Sequence, residues 1–577
     1  MSQKFHAAKT LGKHVMTKQF QNENLNENVQ NICKRIAGSR KIVAACLYGP
    51  RVCGYAEEKS NVSVLLVISN YLPILKGYLK PLNEIKVFIL AVDRSSFERD
   101  VKQGWFGEFV ANNLIVPYQP LLNEKYLQDK EVKLKKRIVW ELLENIVLTL
   151  PELSQELLIE PEYFMYEAMM QRARLFPPAA YTYLNMMKKD VKRKNANCMM
   201  KGYHIALDEL AEEGKIIFSN GYVKITRDLV DTIRKRRIRI PTFIKAVQRA
   251  ALMHILSVPP KMIKPYMDDQ EILLQTNRNA DVENLSSKLE DPRKHVLVPT
   301  PLGPVAFSDK TTIEDYVRKT VPSGEILSME VKPIGGVLND VYLLTLERNH
   351  EVQKIVVKRF RDWSTIKWFP LTLWSLGTKS FAVLGRTRLE RECAINQFLH
   401  SKGILVPKTL YVSPQEQLIF EEFIEGENFG EIVKEMLSGK RETLDEIGLV
   451  KEVGRKIAEI HKLGVSLGDC KPENILVTVN RELYFMDLEQ ATRDGDQSWD
   501  VAEFLYYSGH YVSPFSASDA AELLTREFIE GYMEAGGKKE IIKKAASPKY
   551  TKVFSIFTLP HIIFAISNLC KEIGIYK

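Results

Sequence analysis

The stretch "SLGDCKPENILV", Ser466–Val477, places Asp469, Lys471 and Asn474 in close order just before a short apolar run, and "LYFMDLEQA", 483–491, ends a second apolar run on Asp487. Read as turns, either fragment is a capped loop with a satisfied Asp or Asn. Read together, they supply what phosphoryl transfer asks of a protein. Asp469 would orient and deprotonate an acceptor hydroxyl, and Lys471 would neutralise charge developing on the γ-phosphate. Asn474 and Asp487 would hold Mg²⁺.

Working outward, the chain carries further pieces in the order that ATP-dependent transfer needs. In "KPIGGVLNDVYLLTL", 332–346, Gly335 and Gly336 lie between two strand-like runs, so backbone N–H groups can approach phosphates without side-chain obstruction. Alone, the pair is a plain hairpin turn. "KIVVKRF" then places Lys358 on a strand among apolar neighbours, as in the Val-Ala-Ile-Lys strand whose lysine meets the α- and β-phosphates. A lysine so placed wants a carboxylate, and "RTRLERECAINQFLHSKG" offers Glu390 and Glu392. Glu392 is favoured, with Glu390 in solvent. "QLIFEEFIEGENF", 417–429, reads as a strand entering a hinge, where backbone groups around Glu421 to Phe423 would bond adenine.

These residues resemble the protein kinase superfamily, specifically its atypical branch of RIO-type kinases and the kinase of the KEOPS tRNA-modification complex. "GVLNDVY" is similar to the RIO phosphate loop, with Asn339 where that loop has serine, and "MDLEQA" resembles the RIO metal-binding segment. "RTRLEREC…SKGILVPKTL" and "FEEFIEGENF" are similar to the KEOPS kinase. The resemblance covers residues 321–577 and implies a bilobal fold, ATP and Mg²⁺ as cofactors and a protein Ser/Thr acceptor, with an ATPase switch as a variant. Three departures stand out: Leu467 replaces a histidine, Leu488 and Glu489 replace Phe and Gly, and no Ala-Pro-Glu follows Asp487. The missing activation segment, with "WDVAEFLYY", also resembles small-molecule phosphotransferases of the aminoglycoside type. The tryptophan-rich "RFRDWSTIKWFPLTLWSLGTKSFAVLG", 359–385, is read as a lid or docking insertion.

Nearer the N-terminus, "LYGPRVCGYAEEKSNVSVLLVI", 47–68, resembles the DNA polymerase β-like nucleotidyltransferases, which need clustered carboxylates for two metals. Here Pro50 stands for the turn serine, Asn61 and Ser63 for two aspartates, and Phe88 at the third acidic position. A catalytically dead relative is expected. From 126 to 265 apolar residues recur at helical spacing, except where a helix closed by Gly214 leads into two strands around Asn220-Gly221, a strong hairpin signal. Helix plus hairpin resembles a winged helix.

Length and composition fit several domains: 577 residues, 45% hydrophobic, 27% charged. Seven scattered cysteines form no Cys-x-x-Cys pair, so neither zinc nor a disulfide framework is indicated. A reducing, cytoplasmic setting is expected, since the first thirty residues lack a signal-peptide core and "VFSIFTLPHIIFAISNLC" is too interrupted to span a membrane. Net charge is +9, with basic clusters "KLKKR", "KKDVKRK" and "RKRRIR" at 133–137, 188–194 and 234–239. They make an RNA or DNA partner for residues 126–265, and a nucleic-acid-binding adaptor, a competing expectation. The predicted layout is an α+β multidomain chain. It comprises a polar leader (1–30), a degenerate nucleotidyltransferase-like domain (31–125), a helical and winged-helix-like domain (126–265), a linker (266–320) and a kinase-like domain (321–577).

Overall fold

The computed structural model describes residues 25–57, 60–82, 84–175, 177–235, 288–320, 328–335, 339–348, 351–362, 381–438, 443–512 and 518–573. Gly336, residues 1–24 of the leader, 363–380 of the tryptophan-rich insertion and 236–287 lie outside these. The architecture is mixed α+β in two compact units, Met1–Leu148 with Ile159–His295, and Thr149–Leu158 with Val296–Lys577.

In the first unit, helix α1 (25–37) precedes a five-stranded sheet of order β3-β4-β2-β1-β5. Its strands are β1 (Ile42–Tyr48), β2 (Val62–Ile68), β3 (Leu75–Leu82), β4 (Ile85–Asp93) and β5 (Tyr118–Leu122). β2 and β4 run parallel and read as continuous apolar stretches, as strands buried on both faces do. Asp93 caps α2 (Arg94–Gln103) by accepting the Ser95 N–H at 2.9 Å. Helix α3 (Glu124–Thr149) follows, its last residue already counted with the second unit; after the two-residue strand β6 (Leu158–Ile159), of which only Ile159 belongs to the first unit, come helices α4 (Glu162–Leu175), α5 (Pro177–Met186) and α6 (Lys189–Glu212). β7 (Ile216–Ser219) and β8 (Tyr222–Ile225) close a two-residue hairpin at Asn220 and Gly221, both at positive φ, before α7 (Arg227–Lys235).

The "KLKKR" cluster is not a free basic patch. Lys135 is buried against Glu131 and the Met199 carbonyl, Lys136 bridges Glu209 and Glu213, Arg137 pairs with Glu108 and Glu141, and Lys133 meets Asp129. Of the "RKRRIR" cluster only Arg234 and Lys235 are described.

In the second unit, part of the segment expected to be a linker is structured: β9 (Val296–Val298), β10 (Val305–Ala306) and α8 (Ile313–Thr320). Its apolar residues Val305, Tyr316 and Val317 pack into the core of the next sheet, which a polar average over 268–295 does not reveal. That sheet has the order β11-β12-β13-β15-β14, from β11 (Ser328–Gly335), β12 (Asp340–Arg348), β13 (Glu351–Arg359), β14 (Thr409–Ser413) and β15 (Leu418–Glu422). Helix α9 (Gly385–Ser401) lies between β13 and β14 in the chain.

A second, mostly helical core follows. It holds β16 (Glu427–Asn428), α10 (Phe429–Leu437), α11 (Thr443–Lys462), β17 (Val465–Ser466), β18 (Ile475–Val477), β19 (Leu483–Phe485), β20 (Thr492–Arg493) and α12 (Gln497–Gly509). Helices α13 (Asp519–Glu534), α14 (Lys539–Ala545), α15 (Pro548–Phe554) and α16 (Pro560–Glu572) complete it around Trp499, Phe504, Phe528 and Tyr532. α11 and α13 pack backbone to backbone, because a Cβ on Gly454 or Gly531 would collide with the carbonyl of Phe528 or Lys451. The C-terminal apolar run is split between α15 and α16. Among the described residues no helix is long and apolar enough to cross a membrane.

Candidate functional site

Pleat alternation on β13 turns Ile355 and Val357 into the apolar core and Lys358 to the opposite face. Lys358 is buried, with its Nζ 2.7 Å from Glu392 Oε1, 3.2 Å from Glu421 Oε2 and 3.7 Å from Asp487 Oδ1. Three carboxylates therefore face one ammonium. Burial works against the lysine's charge, but these acids more than offset it and hold its pKa well above the ordinary value. Burial pushes the Glu392 carboxyl up; Lys358 opposes this, while Glu421 and Asp487 reinforce it.

Glu421, expected to offer its backbone at a hinge, also brings a side chain to the site: it is fully buried, because register pairs it with Val356 and so puts it on the Lys358 face of the sheet. Its Oε2 meets the protein through the ion pair with Lys358. Phe423 follows the strand with its ring 5.0 Å from Lys354 Nζ. Gly335 ends β11 at φ 152°, and a Cβ there would meet no atom within 4 Å. Glu390 is not in solvent either. It is buried, and its Oε1 accepts the N–H groups of Glu152 and Leu153, both at 2.6 Å.

Asp469, Lys471, Asn474 and Asp487 line one small pocket. The loop carrying the first three is closed by a one-turn helix, Pro472–Asn474, and runs into β18, while Asp487 follows β19, which pairs with β18. Lys471 Nζ and Asn474 Nδ2 each donate to Asp469 Oδ2 at 3.0 Å, and Asn474 also donates to the Asp469 carbonyl at 2.8 Å. Burial opposes the Lys471 charge, and Asp469 more than offsets it, so the ammonium form is held. The Asn474 amide nitrogen is thus committed, which leaves its oxygen as the acceptor for a cation. Asp487 sits in the left-handed region at φ 57°. An amide oxygen and a carboxylate at one pocket suit a hard divalent cation that completes its shell with phosphate and water. Among the described residues no cluster of three or more His, Cys, Asp or Glu could hold a metal without such help.

The departures from the kinase pattern prove to be structurally linked. Asn339 Nδ2 donates to Glu489 Oε2 at 2.5 Å, and the buried Arg388 donates to Asn339 Oδ1 and lies 3.2 Å from the same carboxylate oxygen. Leu467, where a histidine was expected, donates its N–H to Asp500 Oδ2 at 2.7 Å, and Gly468 donates to Asp500 Oδ1 at the same distance. His461 Nε2, from α11, lies 3.0 Å from Asp500 Oδ2, so an imidazole meets the carboxylate that holds this loop. Glu503 Oε2 accepts from the Cys470 N–H and the Trp499 indole. Sequence reading used Asp500 only to mark how short the segment after Asp487 is, and passed over Glu503. Their signal was two acids at i, i+3 within the apolar run "WDVAEFLYY".

Residues 347–525 match the lipopolysaccharide kinase (Kdo/WaaP) family. The C-terminal region is thus kinase-like. The chain is also similar to a probable serine/threonine-protein kinase BUD32 homolog of Archaeoglobus fulgidus, 30% identical over 141 residues, 24% of this chain and 64% of that protein. A KEOPS complex subunit Bud32 of Pyrococcus abyssi is 27% identical over 158 residues, 27% of this chain and 67% of the relative. The serine/threonine-protein kinase cds1 of Schizosaccharomyces pombe is 30% identical over 98 residues, 17% of this chain and 21% of the relative. The chain therefore spans about two thirds of the length of the two archaeal relatives and a fifth of the third.

Proposed function

We propose that the second unit is an ATP- and Mg²⁺-dependent phosphotransferase, an atypical kinase of RIO or KEOPS type whose acceptor is a protein serine or threonine. The observation that carries this reading is the Lys358 Nζ, 2.7 Å from Glu392 and 3.7 Å from Asp487. An ammonium so placed meets phosphate oxygens, while Asp487 and the Asn474 oxygen hold the cation beside them. Bound Mg²⁺ would supply charge neutralisation across the phosphates. Asp469, positioned by Lys471 and Asn474, orients the acceptor hydroxyl and takes its proton. Lys471 then faces the charge that develops during transfer.

γ-Phosphate release or transfer from ATP by the purified chain, beside Asp469→Ala, tests this directly. Activity in the wild type and its loss in the variant support the reading; an inactive wild type, or an active Asp469→Ala, sinks it.

A second reading, a small-molecule phosphotransferase, is favoured by the match over 347–525 to a family described by lipopolysaccharide as its kinase's object. A screen of hydroxyl acceptors with labelled ATP separates the two. The first unit is read as a nucleotidyltransferase-like fold without its acids. Ser63 pairs with Phe88 across β2 and β4, a Cβ on Gly49 would lie 3.6 Å from the Ser63 hydroxyl, and none of the three expected acidic positions, Asn61, Ser63 and Phe88, carries an acid. Among the described residues, its nucleic-acid reading is supported by exposed basic residues such as Lys189, Arg193, Lys194 and Lys201 of α6, whereas "KLKKR" is paired internally.

A further inference from the structure

Ten residues from the N-terminal half, Thr149–Leu158, belong to the second compact unit. Two side chains hold their backbone. Glu390 Oε1 accepts the N–H groups of Glu152 and Leu153. Arg493 Nη1 donates to the Glu152 carbonyl at 2.7 Å and its Nη2 to Glu156 Oε1 at 3.0 Å, while its backbone N–H reaches Glu152 Oε2 at 3.2 Å. Leu150, Leu153 and Leu157 are buried.

Both grips bear on the proposed site. Glu390 lies on α9 two residues before Glu392, and the Arg493 guanidinium lies 4.7 Å from the ring of Phe398 on that helix. On its other side Arg493 belongs to β20, pairing with Val465 of β17, the strand that runs into the Asp469 loop. β20 also follows Asp487 along the chain. The decapeptide therefore joins the helix that presents Glu392 to the segments that present Asp469 and Asp487. One residue of helix rotation is about 100°, so a small slip of α9 would carry Glu392 away from Lys358.

We propose that Thr149–Leu158 is an internal strap that fixes the rotation of α9, and with it the Lys358–Glu392 ion pair, relative to Asp469 and Asp487. Glu390 and Arg493 are its positioning residues. The proposal rests on the phosphotransferase reading for its kinetic consequence, but not for its mechanical one.

The test uses the full chain carrying Glu390→Ala, Glu390→Gln or Arg493→Ala, with kcat and the KM for ATP measured separately and hydrogen exchange followed over 385–401. The two alanine variants are expected to lose kcat by roughly a hundredfold, as misplaced catalytic groups do, with a smaller change in KM and faster exchange in α9. Glu390→Gln keeps an acceptor oxygen for the two N–H groups and should recover most of the loss. Alanine variants with wild-type kcat and wild-type exchange overturn the strap. If the wild type turns over no ATP, the phosphotransferase reading fails and exchange alone decides, unchanged protection of α9 again overturning the strap. Should Glu390→Ala not fold, Arg493→Ala and Glu390→Gln carry the same comparison.

Discussion

Asn339 and Glu489, 150 positions apart in the chain, are joined side chain to side chain at 2.5 Å, with the buried Arg388 contacting both. Each of the two looks, by itself, like a lapse from the kinase pattern. Together they are partners: the glutamate supplies the charge that the buried guanidinium requires, and the asparagine bridges them.

Removing Glu489 should therefore cost more than removing Asn339. Glu489→Gly leaves Arg388 buried without its carboxylate, a loss of about 3–5 kcal/mol. Asn339→Ser should cost about 1 kcal/mol. Denaturant unfolding of both single variants and the double variant measures the difference and the coupling. Equal, small losses would show that the network contributes little.

Asp469→Asn should reduce turnover by about 10²–10⁴-fold, the usual contribution of a positioned proton acceptor. Nucleotide affinity should hold near wild type, because Lys358 and Asp487 are untouched. Parallel measurement of ATP binding by calorimetry and of phosphate transfer distinguishes loss of chemistry from loss of the site.

Asp500→Ala removes the acceptor of the Leu467 and Gly468 N–H groups and of His461. Leaving those buried donors unmet should cost about 3 kcal/mol or more. Turnover should fall as well, since the same N–H groups shape the Asp469 loop. A melting curve that matches the wild type would contradict this account of the loop.

Stability should also depend on pH through Glu390, whose burial raises its pKa from 4.5 to about 7 against the pull of two backbone N–H groups. The folded state binds this proton more tightly than the unfolded chain, so its contribution is most favourable below pH 4.5 and is lost as pH rises towards 7. The slope is at most about 1.4 kcal/mol per pH unit. Urea unfolding from pH 4.5 to 7.5 should show a steeper decline in the wild type than in Glu390→Gln.

Much of the second unit was legible from local pattern. The strand carrying Lys358, the helix carrying Glu392, the Asp469 loop and the strand before Asp487 each announce themselves within a few residues, because alternation and turn chemistry act locally. The Asn220-Gly221 hairpin was legible for the same reason. Glu390 and Glu421 were not. Whether a glutamate faces solvent or a buried lysine depends on strand register and on a decapeptide more than 200 positions away, and neither leaves a local mark. The "KLKKR" run misled in the same way, since its partners Glu209, Glu213 and Glu108 lie on other elements.

By itself, then, the sequence determined which chemical groups are present, their order along the chain and the strands and helices that bear them. These follow from short-range periodicity and steric preference. Beyond the Lys358–Glu392 pair, tertiary structure decided their pairing: Glu421 and Asp487 on the same lysine, Glu489 with Asn339 and Arg388, and Glu390 with the backbone of Glu152 and Leu153. Such pairings form because a buried charge must find its partner wherever the fold brings one, irrespective of distance along the chain.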